Sequence, residues 1–243
     1  MADYLNISRE YVQKLVNETA SAYDNKDLCG IATQWRWMFG DRTGSTDEYR
    51  YFYATNFLYL FDLIGFAGCF DPNLGQIHKY AKGRCLDYGS GIGTVALWLR
   101  EQPGISDVHA IDVAVTLNDF LRWRARKHGL DIVVLDPMDN SENKRLPHKS
   151  LRGQYDFIYA RDVFEHACDR LEILQSLMEH TSPGGIICES SPIWDFEAIC
   201  KQDIAIKDYD IWDLFKDKGF TLVTESRTPY IFAPVFTKCW RKP

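Results

Sequence analysis

Asp87-Tyr88-Gly89-Ser90-Gly91-Ile92-Gly93-Thr94 decides how this chain is read, because it lies between a strand-like run, Arg84 to Leu86, and a helix-like one, Thr94 to Glu101. Glycine has no Cβ, so it reaches positive φ cheaply and lets a ligand come close to the backbone, as a tight strand-to-helix turn over a nucleoside requires. Dinucleotide binders space their glycines Gly-x-Gly-x-x-Gly, so that a pyrophosphate rests on the helix N-terminus. Here the glycines fall at Gly89, Gly91 and Gly93, and Asp87 stands two places ahead of the first. A carboxylate there repels a pyrophosphate and suits a ligand that carries positive charge.

Outward from this turn, strand-like and helix-like segments alternate, the mark of a doubly wound parallel sheet. Strands are expected at Arg84–Tyr88, Val108–Asp112, Ile132–Asp136, Tyr155–Ala160 and Ile186–Glu189. Helices are expected at Thr94–Glu101, at Thr116–His128 closed by Gly129, and at Asp169–His180 before Pro183-Gly184-Gly185. A last helix, about Tyr209 to Lys218, precedes two extended runs, Phe220–Arg227 and Ile231–Trp240, whose short link at Thr228-Pro229 requires an antiparallel pair.

The glycine turn with its leading carboxylate resembles motif I of the class I, seven-stranded, S-adenosylmethionine-dependent methyltransferases, and the resemblance runs from about Lys82 to the C-terminus. It implies a Rossmann-like α/β sheet, mostly parallel, with an antiparallel seventh strand between the fifth and sixth. It also implies S-adenosylmethionine as cofactor, whose ammonium and sulfonium suit Asp87. Arg161-Asp162-Val163-Phe164-Glu165-His166, after the fourth expected strand, is similar to the Asp-x-x-Glu-His stretch of small-molecule members. The Asn-Pro-Pro-Tyr motif of enzymes that grip a flipped base is missing from that place.

The expected cofactor seat is Asp87, Gly89, Ser90, Gly91 and Gly93. Asp112, at the end of the second strand, can accept both ribose hydroxyls of a nucleoside, with a helix cap before Thr116 as its alternative. The resemblance gives Asp136 the adenine amino group, with Asp139 a competitor and Pro137 stiffening the turn, and it puts Ala160 and Arg161 at the methionine end. Candidate bases are His166, Asp162, His180 and His78, none with a convincing partner in sequence; His166 reads first as a support for its own loop, and the base stays open. No spacing resembles a metal-ligand set, and no metal is expected.

Residues 1–80 have another character and are read as a helical segment covering the substrate, with residues 81–243 forming the cofactor domain. Ser8 is placed to cap a helix carrying Tyr11, Val12, Leu15, Val16, Ala20 and Tyr23, and Ser45 with Glu48 makes a capping box ahead of the aromatic run Tyr49 to Phe66. Trp35, Trp37, Tyr49 and Tyr53, with Trp194 beyond the fifth strand, are the substrate-facing candidates. An aromatic lid favours a planar, apolar or cationic small molecule.

A length of 243 residues fits one α/β domain with an added segment, and a 46% hydrophobic content is ample for a sheet covered on both faces. The net charge of −6, with no basic stripe, disfavours nucleic acid as a partner. Phe57 to Phe66 is too short to span a bilayer, and the N-terminus shows no secretory signal. Seven cysteines, odd in number and without a Cys-x-x-Cys pair, read as reduced thiols of a cytoplasmic protein. The function expected is methyl transfer to a small metabolite or natural product at oxygen, nitrogen or carbon. The rivals are methylation of a protein side chain, a dinucleotide-dependent oxidoreductase, and a silent cofactor binder.

Overall fold

The computed structural model describes residues 1–24, 48, 51–52, 59–66, 74–137, 147–167, 169–192, 211–228 and 235–243. Short helices α1 (Ala2–Leu5), α2 (Arg9–Asp24), α3 (Tyr59–Phe66) and α4 (Leu74–Tyr80) precede the sheet. Then follow β1 (Gly83–Tyr88), α5 (Thr94–Arg100), β2 (Ile105–Ile111), α6 (Val115–His128), β3 (Val133–Val134), β4 (Tyr155–Arg161), α7 (Arg170–Glu179), β5 (Thr181–Pro192), α8 (Ile211–Asp217), β6 (Thr221–Thr228) and β7 (Val235–Arg241).

The seven strands lie in the order β3-β2-β1-β4-β5-β7-β6. All neighbours from β3 to β5 are parallel, and β7 runs antiparallel between β5 and β6, as the sequence led us to expect. In β4, Tyr155, Phe157, Ile158, Tyr159 and Ala160 are all buried, because a central parallel strand is covered by helices on both faces. One face packs Cys85, Val108, Ala110 and Phe157 against α4, α5 and α6. The other packs Leu86, Ile158, Ile187 and Trp240 against α7 and α8, where Phe215 stacks on Trp240 at 4.8 Å.

Strand ends depart from expectation where sheet context outweighs local pattern. β3 is only two residues long, on an open edge where Val133 is exposed. β5 starts at Thr181 and passes through Pro183-Gly184-Gly185 to Pro192, because pairing with Tyr155 at one end and with β7 to Val235 at the other carries it past its apolar centre. β2 begins at Ile105 and stops at Ile111, leaving Asp112 just beyond its end.

The cysteine reading needs correction. Cys188 on β5 and Cys239 on β7, 51 residues apart in sequence, stand directly opposite in the antiparallel register and are joined as a disulfide. Nothing in their spacing announces a pair that only strand order creates. Cys85 fits the reduced reading, since burial pushes its thiol up to about 12; Cys29, Cys69, Cys168 and Cys200 lie outside the described residues.

At the N-terminus the Ser8 hydroxyl accepts the Tyr11 N–H at 3.1 Å, the cap expected from sequence, although Tyr11 itself stays exposed. Tyr4 of α1 and Leu60 and Leu63 of α3 pack with Ile92, Leu117, Phe120 and Trp123. The first helices therefore rest on α6 and on the glycine turn. Ser45 lies outside the described residues. No helix among the described residues is long and apolar enough to cross a membrane.

Candidate active site

At the carboxyl end of β1 the chain turns into α5 through three glycines of positive φ: Gly89 at 72°, Gly91 at 53° and Gly93 at 78°. Side chains would not fit at two of them, since a Cβ on Gly89 collides with Val163 and one on Gly93 with Leu121. At Gly91 a Cβ would meet only Leu63, at 3.4 Å. The turn is thus squeezed between the β4 loop and α6, with its middle glycine facing Leu63 of α3.

Four amides of the turn bond within the chain. Gly89 and Ser90 both donate to the Ile111 carbonyl (2.8 and 3.0 Å), Gly91 donates to Asp112 Oδ2 (2.8 Å), and Gly93 donates to the Ser90 carbonyl (2.8 Å). The glycines supply space and backbone shape.

Asp87 is buried, and its Oδ2 accepts the Ala96 N–H at 2.9 Å, fastening the first turn of α5 to β1. That bond answers a missing cap, because Gly93 at the N-cap has no side chain to offer. Asp112 is buried too. Its Oδ1 accepts the Ala114 N–H (2.8 Å) and its Oδ2 the Gly91 N–H, so one carboxylate joins β2, the start of α6 and the glycine turn. Burial raises its pKa, and the N–H groups of Ala114, Gly91 and Val113 oppose that rise. The capping reading of Asp112 is met, by three N–H groups that take three of the roughly four lone-pair positions on its two oxygens.

Whether these residues suit a nucleoside with a charged tail can be judged from what they leave unsatisfied. Ser90 Oγ and Thr116 Oγ1, on the glycine turn and in the first turn of α6, are buried without a hydrogen-bond partner among the described residues. Orphaned hydroxyls beside a carboxylate match a polar ligand rich in hydroxyl groups. Asp136, by contrast, is exposed, with Pro137 buried beside it.

The β4 end contributes Arg161, whose Nε lies 3.1 Å from Asp162 Oδ2. Asp162 takes φ 51°, which a non-glycine residue adopts only when its surroundings hold it, and its N–H is tied to the Ser190 carbonyl at 2.9 Å. His166 follows, with Nε2 at 3.9 Å from the buried Glu165. Two other candidate bases sit at the wrong edge. His180 binds the Gly153 carbonyl (2.6 Å) ahead of β4, and His78 packs edge-on against Trp98 near the end of α5. Trp35, Trp37, Tyr49, Tyr53, Trp194 and Asp139 lie outside the described residues.

Sequence reasoning missed a polar group on β5 and β7. Glu189 is fully buried and is pushed up to about 8, with desolvation outweighing the Trp212 N–H (2.6 Å), Lys238 and Ser191, which all favour its charge. Lys238 lies 3.5 Å over the Trp212 ring and 3.4 Å from Glu225. On the other face of β5, Ser190 and Thr237 share a hydrogen bond at 3.0 Å. A charged residue in the middle of an apolar strand, Ile186-Ile187-Cys188-Glu189, was the available signal. Another grouping that spacing did not reveal is His148, Asp169 and Glu172, close enough together to hold a cation, although the Lys149 ammonium already sits 2.7 Å from Glu172.

Residues 70–225 match the model of a family described as a methyltransferase domain. The chain belongs to this family. Its cofactor is S-adenosylmethionine, and its seven-stranded sheet has the fold of the class I S-adenosylmethionine-dependent methyltransferases. The methyltransferase is similar to phosphoethanolamine N-methyltransferase 1 of Arabidopsis thaliana, 28% identical over 159 residues, a match covering 60% of this chain. It spans about 30% of that plant enzyme's length. Magnesium protoporphyrin IX methyltransferase from Synechocystis PCC 6803, solved with bound S-adenosylmethionine, shares its fold with a TM-score of 0.57 at 15% identity, over 88% of this chain and 97% of the other. TehB from Haemophilus influenzae does so with a TM-score of 0.57 at 17% identity, over 76% of this chain and 67% of the other.

Proposed function

We propose that this methyltransferase acts on a small-molecule acceptor, with the cofactor seated on the glycine turn between Asp87 and Asp112. The observation that carries the seat is a turn whose Gly89, Ser90, Gly91 and Gly93 amides bond within the chain, flanked by two buried carboxylates and the orphaned Ser90 hydroxyl. Such a site repels phosphates and welcomes hydroxyls and positive charge. Asp112 would accept from the ribose, Asp87 would face the methionine ammonium, and Arg161 is the cation nearest the β4 end for its carboxylate. Asp136 at its exposed turn is the weaker partner for the adenine.

When bound, the cofactor supplies an electrophilic methyl group on a sulfonium. The chain's own residues then have to hold the acceptor in line with it and keep water away, and positioning of this kind is worth about 7–11 kcal/mol of barrier. Tyr59, Leu60 and Leu63, packed beside the glycine turn, support the reading of the first 80 residues as a cover. Asp162 and His166 are at the β4 edge where an acceptor proton would leave, which keeps both as base candidates. The plant relative's acceptor makes a small amine the first to try, with oxygen and carbon acceptors next.

Calorimetry with S-adenosylmethionine, S-adenosylhomocysteine and NAD tests the seat, and methyl transfer to phosphoethanolamine, phenols and protein substrates tests the acceptor. Binding of both sulfur ligands without NAD is the expected result. Binding of NAD alone would replace the seat with a dinucleotide site, and methylation of proteins alone would remove the small-molecule reading.

A further inference from the structure

β2 reaches its end after its outer neighbour has given out. β3 is paired only to His109 and Ala110, and the last bond on that side runs from the Leu135 N–H to the Ala110 carbonyl at 2.9 Å. Asp112 lies two residues further on. Its peptide is paired instead by one side chain: Asn118 Oδ1 accepts the Asp112 N–H at 3.0 Å, and Asn118 Nδ2 donates to the Asp112 carbonyl at 2.8 Å. The primary amide thus imitates a neighbouring strand for a single residue.

Asn118 is an odd choice for its place on local grounds. It stands in the first turns of α6 and is only 1% exposed, between Leu117, Phe120 and Leu121, all apolar and buried. Asparagine is a poor helix former, and burying its amide is costly unless both ends are paired. Both ends are paired here, and to the same residue. The clasp fixes the backbone from which the Asp112 carboxylate reaches Gly91 and Ala114.

We infer that Asn118 is the positioning residue of the cofactor site: its two-bond clasp on Asp112 aims that carboxylate at the ribose hydroxyls while keeping the glycine turn closed. Asn118 touches no cofactor atom in this arrangement and acts through Asp112. The inference rests on the ribose role proposed for Asp112. It predicts that losing the clasp weakens the part of binding that depends on the ribose diol and spares the remainder.

The test is calorimetric binding of S-adenosylhomocysteine and of its 2′,3′-dideoxy analogue to the wild-type chain, Asn118→Leu and Asn118→Asp, with thermal unfolding of each. The wild type should prefer the natural ligand by about tenfold or more, the scale of one hydrogen bond to a charged group. In Asn118→Leu that preference should fall toward unity, with the natural ligand weakened about tenfold and the analogue much less. Asn118→Asp keeps an acceptor for the Asp112 N–H and lacks the donor, so its preference should lie between; it decides the matter if the leucine variant does not fold. An unchanged preference in the folded variants overturns the inference, since a merely structural asparagine would weaken both ligands alike. A wild type that binds the natural ligand with no preference removes the ribose role and the inference with it. A wild type that binds neither removes the proposed seat itself.

Discussion

Two regions of the sheet, the carboxyl ends of β1 and β2 and the paired strands β5 and β7, hold their buried carboxylates in opposite ways. Around β1 and β2, Asp87, Asp112 and Asn118 all bond to backbone: Ala96, Gly91, Ala114 and the Asp112 peptide. Around β5 and β7, Glu189, Trp212, Lys238, Ser190 and Thr237 bond or stack chiefly with one another. The first arrangement shapes a turn, and the second ties strands and a helix together. The difference teaches where a ligand can enter. Carboxylates that hold backbone stand at the turn where a ligand would sit, whereas the side-chain cluster holds strand to strand and strand to helix.

Changes at four positions should break or sharpen this contrast. The largest effect is expected from Gly93→Ala, which sets a left-handed residue with a side chain against Leu121. Left-handed strain of about 1–2 kcal/mol and overpacking of about 1–3 kcal/mol add, so chemical denaturation should show a loss of roughly 3 kcal/mol. Equal stability to the wild type would mean that the turn relaxes, and that its shape is not imposed by its neighbours.

Asp87 comes next, because two variants separate its two roles. Asp87→Ala leaves the Ala96 N–H without its acceptor and should cost about 1–3 kcal/mol of stability as well as cofactor affinity. Asp87→Asn retains an oxygen for Ala96 and removes the charge. Its melting temperature should stay near that of the wild type while S-adenosylmethionine binding, followed by calorimetry, weakens about tenfold. Undiminished affinity in the asparagine variant would take the ammonium away from Asp87.

At the other end, Glu189 should make stability depend on pH. Its folded value of about 8 lies above its ordinary 4.5, so the folded state holds a proton that the unfolded chain releases between those values. The contribution is complete below pH 4.5 and is lost as pH rises through 8. Glu189→Gln should therefore flatten the decline of melting temperature between pH 5 and 8, by about 5 °C at the upper end. A variant whose melting curve keeps the wild-type slope would show that Lys238 and Trp212 hold the carboxylate ionised after all. The smallest effect belongs to Leu222→Thr on the exposed edge of β6, where stability should stay within about 0.5 kcal/mol. A larger loss would reveal that this edge is covered.

How far the contrast could be foreseen follows from distance along the chain. Asp87 and the glycines occupy one stretch of eight residues, so their spacing alone marked the turn. Asp112 was found because strands end in predictable places, and its bond to Gly91 crosses only one helix. Asn118 escaped notice because its partner is the backbone of another residue, and a peptide group leaves no mark in a sequence. Glu189 and Lys238 escaped for a different reason: they are neighbours only because β7 inserts beside β5 in a register that sets residue 189 opposite 238. The same register brought Cys188 to Cys239, against the expectation of free thiols.

The sequence by itself determined the order of strands and helices, the antiparallel ending and the location of the cofactor turn, since hydrophobic period, glycine spacing and short connections act over a few residues. Tertiary structure alone decided what the polar atoms do. It turned the glycine amides inward to Ile111 and Asp112, made a helix cap of Asp87, and closed Glu189 beneath Trp212. The physical reason is that a hydrogen bond is directional and short, so its partner is chosen only when packing has brought distant segments within about 3 Å of each other.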